Sequence, residues 1–228
     1  MTEEVAAAEK SPNAWAQAVA ALALIGALGG GLWAQDEFAG GADPNAPAVC
    51  SADEDAEPSK RISGAQLCTA LNRTDLPTLL GTPREQARTA YGSDSSVKTA
   101  SGTETATPEA TVKFDTYTVQ LSRSYDDLRV AGTEDLLNSA AAKTVLGRPA
   151  VLYSSQTIAI RFNLGGGESE TGPGGIARSL LVAPDAKDSG GSYELAIWRE
   201  DAFPPDDAAL LRVAEKVLPT IPGWTAAG

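Results

Sequence analysis

Ser95 and Lys98 are the first residues whose types and spacing could do chemistry. The stretch Ser95-Ser96-Val97-Lys98 matches S-x-x-K, in which a lysine activates a serine nucleophile. Enzymes that use this motif need further motifs well downstream, whereas the nearest matches here overlap the motif itself. The motif also lies in a Ser/Thr-rich segment that predicts a loop. We therefore interpret it as a chance match.

Neighbouring carboxylates are the second candidate for chemistry, as general acids and bases. Such catalysis needs two carboxyl groups that converge on a substrate in space, whereas sequence neighbours are typical of exposed turns and helix starts. The adjacent pairs are Asp126-Asp127, Glu134-Asp135, Glu200-Asp201 and Asp206-Asp207. We assign none of them a catalytic role.

Histidine is absent from the sequence, which excludes several classes of enzyme. Ser-His-Asp and Cys-His nucleophilic sites, histidine acid–base catalysis and histidine-ligated metals all require it. Two thiols without histidine do not complete a zinc site. The glycine-rich loop at 165–175 carries Glu168 and Glu170, which would repel a phosphate. We expect no catalytic residue, no metal and no cofactor, and hence no enzyme.

Acidic residues dominate the charge, and they are unevenly spread. The formal net charge is −12, and residues 34–60 alone hold seven acids and one base. Residues 61–228 hold twenty acids and sixteen bases. A nucleic-acid-binding protein needs a basic face to neutralise phosphates. We therefore exclude nucleic acid as a partner.

The two cysteines, Cys50 and Cys68, predict a disulfide for a domain that lies outside the cell, and two free thiols are the alternative. In an oxidising compartment an even pair favours a disulfide, and in a reducing one they would be free thiols. A bridge would close a loop of about nineteen residues and contribute roughly 3 kcal/mol in the chain-entropy model. It would join the end of a linker to the first helix of the folded domain.

Residues 14–33 form the longest apolar stretch, AWAQAVAALALIGALGGGLW. A helix of twenty residues spans roughly 30 Å, the thickness of the hydrocarbon core of a bilayer. Trp15 and Trp33 near its ends suit the two membrane interfaces. Gly26 and Gly30 form G-x-x-x-G, which allows close helix packing and a homodimer. The sequence predicts an uncleaved transmembrane helix; a cleaved signal peptide is the alternative, although the basic n-region is missing.

The organisation around this helix follows from charge and composition. Lys10 is the one basic residue near its N-terminal end, and none follows until Lys60, so the positive-inside rule predicts a cytoplasmic tail at 1–13. The protein would then lie in the plasma membrane with its C-terminal domain outside. Residues 34–60 are rich in Pro, Gly, Ala and acids, which predicts a disordered acidic linker. The folded domain is predicted at 61–228.

Hydrophobic patterning within 61–228 predicts an α+β domain. Helices are expected after the capping box at Ser63, from the capping box at Thr82 towards Tyr91, at 134–142 after Thr133, and after a cap at Asp206 or Asp207. Alternation predicts strands at 112–121 with a parity switch near 115–116, a hairpin at 150–164 that turns at 154–156, and strands at 176–183 and 192–199. The inner face of the hairpin is predicted to hold Ile158, Ile160, Phe162 and Leu164. We expect an antiparallel sheet packed by short helices and a C-terminal helix.

Three stretches resemble a known family: Ile62–Pro83 (ISGAQLCTALNRTDLPTLLGTP), Val145–Ser154 and Gly174–Trp198. They are similar to an actinobacterial single-pass family catalogued as domain-of-unknown-function 6215. Cys68, Asp75 and the Leu76–Gly81 segment are also similar to actinobacterial envelope lipoproteins. Both resemblances imply a surface-tethered domain, and neither implies an activity or a functional residue.

Three functions are compatible with this organisation. We favour a non-catalytic extracytoplasmic module that binds or senses an envelope ligand or protein partner. The second is an envelope enzyme that uses clustered carboxylates or Ser/Lys, which requires two close carboxyl groups with shifted pKa values. The third is a passive membrane scaffold or assembly partner that associates through Gly26 and Gly30.

Overall fold

The computed structural model describes residues 46–52, 61–98, 104–161, 170–201 and 203–224. From Pro47 onward these residues belong to one compact unit. Its helices are α1 (Gly64–Leu71), α2 (Leu76–Leu80) and α3 (Asp207–Val217), with 3₁₀ turns at Thr133–Leu136 and Leu218–Thr220. Its strands are β1 (Ser51–Ala52), β2 (Thr89–Ser93), β3 (Ser96–Lys98), β4 (Glu104–Ala106), β5 (Glu109–Lys113), β6 (Tyr117–Ser124), β7 (Ala141–Val145), β8 (Arg148–Arg161), β9 (Glu170–Val182) and β10 (Ser192–Arg199).

Eight of the described strands form one sheet in the order β1-β2-β5-β6-β10-β9-β8-β7, and β3 pairs with β4 separately. Every neighbouring pair is antiparallel except β1–β2, which is parallel. The predicted antiparallel sheet with a C-terminal helix is therefore confirmed for the described residues. The parity switch near 115–116 is a tight connection between β5 and β6, in which Phe114 N donates to Tyr117 O (2.7 Å).

The main hydrophobic core lies on one face of the sheet, beneath helices α1 and α3. Alternate residues of the central strands β6 and β10 point to this face, and Val119, Leu121, Leu195 and Ile197 are fully buried. The helices contribute Leu67, Leu71, Leu210, Val213 and Val217 to the same core. Asp206 caps α3 as predicted, because its carboxylate accepts a hydrogen bond from Ala208 N (3.0 Å).

Helix α1 begins against strand β2, where two backbones meet. The predicted capping box is present: Ser63 Oγ accepts from Gln66 N, and Gln66 Oε1 accepts from Ser63 N. A β-carbon at Gly92 would lie 2.1 Å from the carbonyl oxygen of Gly64, and one at Gly64 would lie 2.3 Å from the carbonyl oxygen of Ser93. Glycine at these two positions is what allows the helix to reach the sheet.

The opposite face of the sheet, called the second face below, carries a smaller apolar cluster at one end. Val130, Val151 and Ala183 are buried in it, and Leu137 and Ala140 pack against them. This cluster holds the connection between β6 and β7 over strands β8 and β9. Elsewhere on the second face lie the strand residues that alternate with those pointing into the main core.

The predicted hairpin at 150–164 is wrong. Arg148–Arg161 is one continuous strand, and the turn lies before it at Leu146 and Gly147, both of which have positive φ. The strand continues through Ser154 because residues 154–156 pair with strand β9, where Ser154 lies opposite Arg178 and its hydroxyl accepts a hydrogen bond from Arg178 Nη1 (2.5 Å). Ile158, predicted to line an inner face, is 75% exposed.

The predicted helix from Thr82 towards Tyr91 is also wrong. The Glu85 carboxylate accepts a hydrogen bond from Thr116 N (3.1 Å) instead of capping a helix at Thr82. The chain then enters strand β2, and the local helix in this region is α2, which ends at Gly81 with φ of 85°. The predicted helical piece at 134–142 is limited to one 3₁₀ turn, because the chain enters strand β7 at Ala141.

Residues 46–52, which lie within the predicted linker 34–60, pack on the domain where the structure describes them. Ala48 N donates to Ala87 O (2.9 Å), and Asn72 Nδ2 donates to Ala48 O (2.8 Å). Ser51 and Ala52 then pair in parallel with Tyr91 and Gly92 at the edge of the sheet.

The predictions for the N-terminal part of the chain lie outside the described residues. They concern the tail at 1–13, the transmembrane helix at 14–33 with Trp15, Trp33, Gly26 and Gly30, and residues 34–45 of the linker. Within the ranges that the structure describes, none of the helices is both long enough and apolar enough to cross a membrane.

Candidate functional site

Strand β10 presents a row of four residues on the second face. Glu194, Ala196 and Trp198 alternate with the buried Tyr193, Leu195 and Ile197, and Glu200 follows directly after the strand. Because residues two apart on a strand lie about 6.8 Å from each other, the row is roughly 20 Å long. We call Glu194, Ala196, Trp198 and Glu200 the β10 row.

At one end of the β10 row, Glu194 is held by Tyr153 from strand β8. The phenol crosses β9 and donates a hydrogen bond to Glu194 Oε1 (2.5 Å). Burial, with the charge of Glu194 and this hydrogen bond, raises the pKa of the Tyr153 phenol well above its usual range. The phenol therefore keeps its proton at neutral pH and acts as a fixed donor.

At the other end of the row, Glu200 is held by two side chains. Thr118 Oγ1 donates to Glu200 Oε1 (2.9 Å), and Lys113 Nζ lies 3.3 Å from the same oxygen. Thr118 pairs directly with Trp198 across β6 and β10, so Glu200 and the indole lie side by side. Trp198 is half-buried.

A third carboxylate lies two strands from β10. Glu109 on β5 is opposite Ser122, which is itself opposite Glu194, and Gln120 Nε2 donates to Glu109 Oε2 (2.9 Å). Glu109, Glu194 and Glu200 therefore place three carboxylates on the described part of the second face, beside the ammonium group of Lys113. This arrangement offers positioned hydrogen-bond acceptors beside an aromatic ring.

Carboxyl groups with shifted pKa values occur elsewhere, and the shifts are all downward among the described residues. Hydrogen bonds from Arg73, Arg88, Ser189 and Arg199 are the main causes, and they lower the pKa of the carboxyls of Asp75, Asp115, Asp185 and Asp201 respectively. A general acid needs a raised pKa instead. These four carboxyls are thus partners of structural hydrogen bonds.

The disulfide partners meet as predicted. The sulfur atoms of Cys50 and Cys68 are at disulfide-bonding distance, 2.06 Å, and Cys68 is wholly buried in the main core. The bond attaches the segment that leads into strand β1 to the middle of helix α1.

Arginine and aromatic side chains stack at one end of the main core. Arg123 lies 4.6 Å from the ring centre of Tyr125 and 4.8 Å from that of Tyr193. Tyr193 contacts Trp224 at 5.4 Å between ring centres, and Arg148 lies 3.4 Å from the Trp224 ring centre. Cation–π contacts of this kind stabilise buried guanidinium groups, so the stack anchors the C-terminal segment to β6 and β10.

Other candidates from the sequence are not assembled into a site. Ser95 donates to the Thr107 carbonyl oxygen (2.6 Å), and Lys98 lies on the exposed strand β3, so S-x-x-K forms no nucleophile pair. A cavity of about 340 Å³ lies beside α1, but its charged residue, Arg73, is already paired with Asp75 at 2.8 Å. Among the described residues, no group of three potential metal ligands converges.

A family model of unknown function matches residues 9–140. The chain belongs to the family of unknown function DUF6215. This confirms the family predicted from the sequence; of the three stretches that carried the resemblance, Ile62–Pro83 lies within the match. The matched region includes α1, α2 and the strands up to β6, and it ends before β10. No curated protein and no solved structure matches the chain.

The β10 row is a site that no sequence motif predicted, although the pattern of the strand contains a signal for it. In SYELAIWRE the apolar residues Tyr193, Leu195 and Ile197 alternate, and the other parity spells Glu, Ala, Trp, Glu. What the sequence does not contain is the position of β10 at the centre of the sheet. That position brings Lys113, Thr118 and Tyr153 from other strands to the row.

Proposed function

We propose that this member of DUF6215 is a membrane-tethered, extracytoplasmic and non-catalytic binding module. The observation that carries the binding function is the β10 row, whose carboxylates are fixed by Tyr153, Thr118 and Lys113 beside the half-buried Trp198. A preorganised set of acceptors next to an aromatic ring binds a ligand with little further loss of side-chain entropy.

Two features support the extracytoplasmic location. The apolar stretch 14–33 has the length of a membrane-spanning helix. The cysteines at bonding distance suit an oxidising compartment, because thiols in the cytoplasm are kept reduced.

The protonation states of the site support binding over catalysis. Tyr153 has a raised pKa, so it does not act as a base at neutral pH. Its partner Glu194 accepts that hydrogen bond, and Glu200 is engaged with Lys113. Each group thus holds a neighbour in position.

Labelling of the two cysteines tests the location. Intact cells that express the chain are treated with a membrane-impermeant maleimide, with and without prior reduction by a dithiol. We expect labelling only after reduction, since the domain lies outside with a closed disulfide. Labelling that requires cell lysis and no reductant would contradict both the location and the bridge.

Sedimentation with washed cell-envelope material tests the binding function. We expect the detergent-solubilised full-length chain to co-sediment, and the Trp198→Ala and Glu194→Gln variants to co-sediment less. Glu215→Gln on the exposed side of α3 is the matched control, because it removes one carboxylate on the other side of the sheet. Equal sedimentation of all four proteins would refute a binding role of the β10 row.

A further inference from the structure

We propose that the ligand of the β10 row is a basic polypeptide segment in extended conformation. This inference rests on the proposed function and names the chemistry of the partner. It follows from the charge of the second face, from the ring of Trp198 and from the spacing of the row.

Charge is the first reason for a basic ligand. Among the described residues around the β10 row, Glu109, Glu194 and Glu200 outnumber Lys113, and Lys113 is already 3.3 Å from Glu200. Tyr153 donates to one oxygen of Glu194, and no donor among the described residues is hydrogen-bonded to the second oxygen, which can therefore accept from a ligand. An ammonium or guanidinium group supplies the donors that these oxygens accept. An anionic ligand would be repelled.

Trp198 is an independent reason for the same chemistry. Indole is the side chain whose face attracts cations most strongly. Glu200 lies two residues from Trp198 in the row, about 6.8 Å along the strand, so a cationic side chain over the ring is also close to that carboxylate.

The spacing of the row favours a polypeptide. Residues of the row repeat every two positions along a strand, about 6.8 Å, and an extended peptide repeats its side chains on one face at the same interval. In such a peptide, basic residues at positions 1 and 7 would lie opposite Glu194 and Glu200. Position 5 would lie opposite Trp198 if the peptide runs parallel to β10, and position 3 if it runs antiparallel. The pyranose chain of a glycan has a different repeat, and a neutral glycan gains nothing from the carboxylates' charge.

The experiment is a titration of the full-length chain in detergent micelles with a labelled peptide, Lys-Thr-Ala-Thr-Arg-Thr-Lys, followed by fluorescence anisotropy. The comparison peptide has glutamine at the three basic positions. We expect the basic peptide to bind and the glutamine peptide to bind at least about tenfold more weakly, because three charge contacts are lost. Binding of the basic peptide should also weaken as ionic strength rises.

Three variants locate the binding surface. Glu194→Gln and Glu200→Gln should each weaken binding about threefold, as for exposed ion pairs. Trp198→Ala should weaken it about fivefold or more through loss of the cation–π contact. Glu215→Gln should leave it unchanged. The two glutamine variants preserve side-chain size, so they report on charge even where Trp198→Ala is misfolded.

Other outcomes separate this inference from the proposed function. Equal affinity for both peptides, or an equal loss in Glu215→Gln, would overturn the basic ligand. Absence of peptide binding together with Trp198-dependent binding of soluble envelope glycan fragments would overturn the basic ligand and retain the binding module. If neither the peptide nor the glycan fragments bind, and the variants co-sediment with the envelope as well as the original chain does, both the basic ligand and the binding module are refuted.

Discussion

Single residues decide how closely the parts of this domain approach one another. Gly64 and Gly92 bring the start of α1 onto β2, and neither position has space for a methyl group. Gly191 shows the same constraint at another point, because a β-carbon there would lie 2.5 Å from the backbone carbonyl oxygen of Ser124. Such positions are sensitive to substitution because backbone atoms cannot move aside as flexible side chains do.

Gly92→Ala should therefore destabilise the domain by about 3 kcal/mol or prevent folding, the upper range of overpacking effects. The added methyl would lie 2.1 Å from the Gly64 carbonyl oxygen. Gly172→Ala on β9 is the matched control, since nothing lies within 4 Å of its β-carbon position. Urea unfolding measures both, and similar midpoints for the two variants would contradict the close approach of α1 and β2.

The Tyr153 phenol should make stability depend on alkaline pH. Its pKa is raised in the folded state above the unfolded value of about 10, so its contribution is fully present below pH 10 and lost as pH rises through the folded pKa. Tyr153→Phe should cost about 1 kcal/mol at pH 8 and flatten the decline of stability above pH 10. Urea midpoints from pH 8 to 11 test this, with Tyr91→Phe as the exposed control; an unchanged slope in Tyr153→Phe would refute it.

At the scale of elements, the sheet edge beside β2 depends on a covalent bond. Strand β1 has only two residues, and it is adjacent to Cys50, which is bonded to Cys68 in α1. Two residues of parallel pairing contribute little by themselves, so the bridge and the Ala48 hydrogen bonds keep β1 in place. The outcome is a covered edge, which protects the sheet against pairing with other chains.

Reduction of the disulfide should lower the free energy of unfolding by about 3 kcal/mol, according to the chain-entropy model. It should also release β1, so that hydrogen exchange at Ser51 and Ala52 becomes fast while β6 and β10 remain protected. Cys50→Ala provides the same test without reductant and leaves the buried Cys68 in place. Unchanged protection of β1 in either case would show that its pairing stands without the bridge.

At the scale of the whole molecule, the described domain and the N-terminal segment are separate units. Contacts divide the chain after Ala46, and the unit from Pro47 onward contains the main core, the disulfide and the β10 row. A chain of this length has enough residues for an independent core.

Residues 47–228 should therefore fold as an isolated fragment that is soluble without detergent. Its urea midpoint should equal that of the full-length chain, and it should remain in the aqueous phase of a detergent-phase separation. The full-length chain should enter the detergent phase because of residues 14–33. Partition of both proteins into the same phase would contradict the membrane anchor, and loss of cooperative unfolding in the fragment would contradict the independent domain.

The sequence by itself determined the features that depend on local pattern and on chain chemistry. The capping box at Ser63, the cap at Asp206, the strand at Ser192–Arg199 and the Cys50–Cys68 pair follow from side chains that act on near neighbours or from the two sulfurs available. The family also follows from the sequence, because its model compares residues in order.

Only the tertiary structure decided the features that depend on distant partners. Glu85 accepts a hydrogen bond from Thr116 N and does not cap a helix at Thr82. Ser154 belongs to β8 because the strand continues to pair with β9, where Arg178 lies opposite Ser154. The β10 row became a site for the same reason, since Tyr153, Thr118 and Lys113 come from three other strands. Local propensities differ by less than the energy of a few tertiary contacts, and strand order, which sets those contacts, is not written in any short segment.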